Sequence, residues 1–260
     1  MNAKEIFLEM LKPDGKPERQ LVQYEALNLW RFDPVNGYLM NGRHPGMTGK
    51  DHWGVTIAWP ADHPGQQPII NDELKVLKDI THWRDYVTAP DVEANCQEGW
   101  EECIAAARAD TGEDRLLCSF CGTGLFEECH FLMGFADTLA NFYEHPQEMH
   151  ELIDYICEFK LKVLKFYCEK MHADAIFFHD DWGAQKAPFF SMDTAYELFV
   201  PFMKQIPDHI HSKGRIATLH SCGHNDKRVQ VFIDAGYDQW DGRASKHTYV
   251  GNGGAIRIVG

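Results

Sequence analysis

Three short apolar runs, Arg115-Leu-Leu-Cys-Ser-Phe-Cys121, Ala173-Asp-Ala-Ile-Phe-Phe-His179 and Arg215-Ile-Ala-Thr-Leu219, each run into polar or glycine-bearing residues, and long helical patterns separate them. Apolar runs of this length fit strands buried on both faces, and strands alternating with helices imply parallel βα units. The polar residues gather at the C-terminal ends of successive strands, which favours a (β/α) barrel over a doubly wound sheet. The expected fold is therefore α/β, of the TIM-barrel type.

The rest of the chain extends this rhythm. Strands are expected at 19–27 and 237–240, with a short candidate at 53–59. Helical periodicity covers 72–86, 92–109, 135–143, 146–171, 193–212 and 225–235. Residues 33–70, rich in Gly, Pro, His and Asn, form an irregular excursion, and 122–134 reads as an aromatic, glycine-bearing loop. The pattern stops after Asp241. The expectation is a barrel domain over 1–240, truncated after about six strands, and an atypical tail over 241–260. In that tail Gly251-Asn-Gly-Gly-Ala-Ile lacks the strand and following helix that a phosphate-binding loop requires.

The chemistry concentrates where the third run continues into His220-Ser-Cys-Gly223. Side chains on a strand alternate faces, so His220 and Cys222 point the same way and one cation could touch both. Imidazole with thiolate favours zinc over magnesium or calcium, although a zinc site needs three or four protein ligands and this motif supplies two. The preceding run ends in His179-Asp-Asp-Trp-Gly183, where alternation puts His179 and Asp181 on one face and Asp180 on the other. His179, Asp180 and Asp181 are candidate acid–base groups, since adjacent desolvated carboxylates raise one another's pKa. Helix capping is the alternative for either aspartate. Trp182 and Gln185 would line the mouth above them, and Gly122, Thr123, Gly124 and Phe126 lie where a barrel loop covers substrate. Cys118 and Cys121 match a C-x-x-C spacing without a second pair, so a structural role is expected.

Acidic residues outnumber basic ones 39 to 25, a net charge of −14, which argues against nucleic acid or an anionic membrane surface as a partner. The first residues form a short amphipathic helix without a signal-peptide pattern, and the eight cysteines do not resemble a compact disulfide framework. A cytoplasmic location is expected.

These motifs carry a resemblance. The Gly122-Thr-Gly-Leu-Phe-Glu segment with His130-Phe-Leu-Met-Gly after it, the helix beginning Glu144-His-Pro, the strand end at His179 and the Leu219-His-Ser-Cys-Gly-His-Asn225 segment resemble the uroporphyrinogen decarboxylase superfamily. The likeness is to its cobalamin-dependent methyltransferase branch and covers roughly residues 1–240. It implies a TIM barrel that moves a methyl group between a corrinoid and a thiol or folate acceptor. It also implies that His220 and Cys222 are zinc ligands; for the family's later cysteine, either the chain is truncated or frameshifted at its end, or a residue such as His179, Asp181 or His224 fills the place. The corrinoid would sit on a partner protein or arrive as free methylcobalamin, because no Asp-x-His-x-x-Gly segment occurs. The decarboxylase branch implies an arginine-rich carboxylate grip near the N-terminus, where the corresponding stretch here, Ala26-Leu-Asn-Leu-Trp-Arg-Phe-Asp33, has a single Arg31. A decarboxylase-like enzyme and a non-catalytic truncated relative are the alternatives.

Overall fold

The strand rhythm is realised in the computed structural model, which describes residues 1–22, 24–41 and 43–242 and the backbone of 256–257. Five strands make a parallel sheet: β1 (Leu27–Trp30), then, after a small separate sheet, β5 (Leu116–Cys121), β6 (Ala175–His179), β7 (Ile216–His220) and β8 (Gln239–Asp241), side by side in that order. The separate sheet is antiparallel and lies within the excursion, formed by β2 (Thr48–Lys50), β3 (Thr56–Ala58) and β4 (Gln67–Pro68). Among the described residues β1 and β8 do not pair with each other, so the parallel sheet is a partial TIM barrel that does not close. A two-residue strand, β9 (Ile256–Arg257), runs antiparallel beside β8. The remainder of the expected tail lies outside the described residues.

The helices are α1 (Ala3–Met10), α2 (Pro34–Met40), α3 (Val92–Asn95), α4 (Trp100–Thr111), α5 (Leu125–Met133), α6 (Phe135–Glu144), α7 (Pro146–Lys165), α8 (Met192–Thr194), α9 (Val200–Met203), α10 (Gln205–Ser212) and α11 (Val229–Ala235). The period of 2 divides the sheet into two apolar faces. Leu117, Cys121, Ile176, Phe178, Ala217 and Leu219 join the core built with the helices. Leu116, Cys118, Ala175 and Phe177 face the other way, against Ile6, Phe7 and Leu21 of the N-terminal segment. Each fully buried Leu, Ile or Phe among them contributes about 1.5–3 kcal/mol. The C-x-x-C pair is split by this alternation: Cys118 and Cys121 lie on opposite faces, and burial pushes both thiols up, Cys121 to about 12.

Several local expectations are corrected. The first strand is not 19–27 but begins at Leu27, because pairing Leu27–Trp30 with Leu116–Ser119 sets its register. The 53–59 candidate contributes only Thr56–Ala58, and to the small sheet. Of the helix expected over 72–86 only a 3-10 turn, Ile80–Asp85, forms. There the Lys78 ammonium caps the carbonyls of Asp72 and Glu73, and the Leu77 N–H donates to the Leu132 carbonyl at 2.9 Å instead of to its own turn. The 92–109 helix breaks at Gly99, whose φ of +80° suits glycine. The 122–134 loop instead contains helix α5, stopped at Gly134 with φ +95°.

Candidate metal centre and adjoining cavity

Parallel pairing aligns β6 and β7 so that His179 lies opposite His220, and β8 so that Asp241 lies opposite His220. Residues in register on neighbouring parallel strands share a face, and the two imidazoles stack with centroids 4.7 Å apart and planes at 19°. Phe177 stacks beneath His220 at 5.3 Å. The Asp241 carboxylate approaches His220 Nδ1 at 3.5 Å, leaving Nε2 toward the strand-end mouth.

Two residues beyond each strand the chain keeps its alternation, so Asp181 and Cys222 join the imidazoles. His220 Nε2 lies 3.1 Å from Cys222 Sγ and 3.6 Å from Asp181 Oδ1. Ligand atoms of His179, Asp181 and His220 all fall within 4.8 Å of one another. The strand-end loops are stitched together: the Cys222 N–H donates to Asp181 Oδ1 at 2.6 Å, the Trp182 N–H to Ser221 Oγ at 3.1 Å and the His224 N–H to the Ala184 carbonyl at 2.8 Å. Gly223 makes this approach possible. Its φ is +93°, and a Cβ there would sit 2.0 Å from the Gly183 carbonyl oxygen. His224 Nε2 lies 3.9 Å from Asp226 Oδ2.

Asp180 turns the other way and is fully buried. Its Oδ2 accepts from the backbone N–H groups of Leu125 and Phe126 and from the Trp182 indole, and Oδ1 accepts from the Glu127 N–H, at 2.9 to 3.1 Å. It thus caps the N-terminus of α5 from another part of the chain, where helix N–H groups otherwise lack partners. Burial, and after it the Glu127 charge, push its pKa up to about 7 against the pull of these donors. The neighbouring Asp181 is not what raises it. Gly124 permits the contact, since a Cβ there would lie 2.1 Å from that of Asp180.

The cap aims α5 so that Glu127, a residue the sequence reading left within a loop, reaches His179: Nδ1 and Oε2 are 2.8 Å apart. Burial alone would lower the His179 pKa, but Glu127 outweighs it and raises the group to about 9, while Glu127 itself is held below the usual range. His179 and Glu127 also line a cavity of about 370 Å³ between the strand ends and the excursion, together with Gly122 and Thr123. Phe126 and Trp182 do not line it. Both are completely buried in an aromatic cluster with Phe190 and Phe199, while Gln185 is exposed on the loop after Gly183.

The donor set of one or two imidazoles, a thiol and a carboxylate fits zinc by its chemistry. No helix among the described residues is long and apolar enough to cross a membrane. Among solved structures, a methyltransferase from Methanosarcina mazei is similar, with a TM-score of 0.60 at 13% identity over 93% of this chain and 76% of that one. Comparison with curated proteins finds no significant match. The family model for uroporphyrinogen decarboxylase (URO-D) matches residues 50–242, which hold β5 to β8, helices α5 and α7 and every residue of the cluster, and this chain belongs to that family.

Proposed function

We propose that the protein is a zinc-assisted methyltransferase that moves a methyl group between a corrinoid and a thiol or folate acceptor. The observation that carries this reading is the convergence of His220, Cys222 and Asp181 at the strand ends, beside a cavity that reaches the same cluster through His179. His220, Cys222 and Asp181 would hold the metal. Zinc bound there supplies a positive charge that lets an acceptor thiol exist as its anion at neutral pH.

The chain's own residues divide the remaining work. Asp241 sits beside His220 Nδ1 and fixes the ring, as a carboxylate behind a ligating imidazole does elsewhere. Glu127 accepts from His179 Nδ1, which keeps a proton on that nitrogen and fixes the ring with Nε2 free beside the ligands. Asp180 holds α5, and with it Glu127, in place. A corrinoid is far too large for a cavity of about 370 Å³, so it would lie across the strand-end face, on a partner protein or as free methylcobalamin. The fold shared with a methyltransferase supports the reading.

A decarboxylase acting on a porphyrin carrying several carboxylates finds less here. Three of the cavity's basic groups already face a carboxylate, Arg43 with Asp51, Lys160 with Glu128 and His179 with Glu127, and Arg31 lies over the Phe120 ring. The test is to incubate zinc-loaded protein with methylcobalamin and candidate thiols or folate and follow the cobalamin absorbance. Demethylation that disappears in Cys222→Ala is expected. No change with any acceptor, from folded and zinc-loaded protein, refutes the proposal.

A further inference from the structure

Charges on the cavity wall resolve into pairs of unequal quality. His179 and Glu127 are 2.8 Å apart and Arg43 and Asp51 3.3 Å, both in contact. Lys160 Nζ and Glu128 Oε2 are 3.7 Å apart, longer than a hydrogen bond. Yet they are the deepest pair, with side chains 2% and 3% exposed, presented by α7 and α5 toward the cavity they both line. An ammonium has three protons to give and a carboxylate several lone pairs to fill, so a pair set 3.7 Å apart can take a third polar group between them.

We propose that Lys160 and Glu128 recognise a neutral hydroxyl on the small molecule handled at the metal centre, at its end remote from the metal. A hydroxyl oxygen accepts from Lys160 Nζ while its proton is donated to Glu128. A carboxylate in the same place meets the charge of Glu128, an ammonium meets that of Lys160, and a hydrocarbon leaves both unmet. Burial pushes Glu128 up to about 7, and a hydroxyl, able to exchange donor and acceptor roles, suits either form of that group. Charged and amide side chains line the cavity alongside Trp53, Phe120 and Phe131, and these three rings give a molecule carrying one aromatic ring a wall to lie against. The inference rests on the transferase reading for what the molecule does, but its recognition is read separately.

The probes are benzyl alcohol, benzoate, benzylamine and toluene, titrated into the purified full chain by calorimetry without methylcobalamin. Benzyl alcohol is expected to bind at least about tenfold tighter than the other three. Lys160→Met alone leaves a buried unpaired carboxylate and endangers folding. The double variant Lys160→Met with Glu128→Met removes both charges, a replacement that cores tolerate. In it the preference for the alcohol over toluene should vanish. Equal binding of benzyl alcohol and toluene by the wild type, tighter binding of benzoate, or an unchanged preference in a folded double variant each overturns the proposal. Should the double variant not fold, the wild-type series decides alone. Methyl transfer that fails while the alcohol preference holds sinks the transferase reading only. The converse sinks only this inference.

Discussion

Replacing Glu127 by Gln keeps the shape of the side chain that faces His179 and removes its charge. In the metal-free wild type His179 is raised from 6.5 to about 9 even though burial pulls it down, and Glu127 is the largest source of the rise, with Asp181 and Asp180 adding to it. At 1.36 kcal/mol per pKa unit that rise amounts to about 3 kcal/mol of preference for the cation. His179 is about three-quarters buried and Glu127 more so, so screening by solvent takes only part of this. Because the folded-state pKa lies above the unfolded one, the stabilisation is complete below pH 6.5 and is lost as the pH climbs through 9. Glu127→Gln should therefore cost about 2–3 kcal/mol in urea unfolding at pH 6 and progressively less toward pH 10. Imidazole NMR resonances of chelator-treated protein provide the direct assay. One histidine of the wild type should titrate well above 8, and in Glu127→Gln that resonance should move below 7. A His179 that titrates near 6.5 in both proteins refutes the argument that Glu127 keeps it charged.

Gly124→Ala places a methyl group inside the Asp180 carboxylate, and overpacking of this kind should lower the unfolding free energy by about 1–3 kcal/mol or more, measured in urea. Gly223→Ala meets both a left-handed backbone and the Gly183 carbonyl, so we expect a loss of at least about 2 kcal/mol in stability together with zinc affinity weakened about tenfold, read by competition with a chromophoric chelator. Zinc affinity should rise with pH from 6 to 8 as the ligands shed protons, and calorimetry in buffers of different ionisation enthalpy should register proton release on binding.

Much of the architecture was legible because β5, β6 and β7 are largely apolar runs divided by long periodic helices. The first strand was misplaced by eight residues because its position depends on pairing with β5, which lies more than eighty residues on. Helix α5 was hidden by the glycines at both ends. Gly124 and Gly134 look like loop residues, yet the first makes room for the Asp180 cap and the second ends the helix, while Leu125, Cys129 and Leu132 kept a helical period between them.

At the site, the spacing of His220 and Cys222 and the alternation of His179, Asp180 and Asp181 predicted which side chains would meet. Glu127 and Lys160 could not be found that way. They reach the cavity from helices, and nothing in a local pattern says which helical face a barrel turns toward its mouth. Trp182 and Phe126 show the reverse case, aromatic residues beside the motifs that the fold uses for packing.

The account depends on His220 and Cys222 gripping one cation together. Zinc should be measured by plasma emission in protein purified without chelators, for the wild type, His220→Ala, Cys222→Ala and a control, His224→Ala. The account predicts close to one zinc per chain in the wild type and the control, and almost none in the other two variants while each stays folded. A wild type free of zinc that takes up none when it is supplied, or zinc retained in both folded ligand variants, would contradict it.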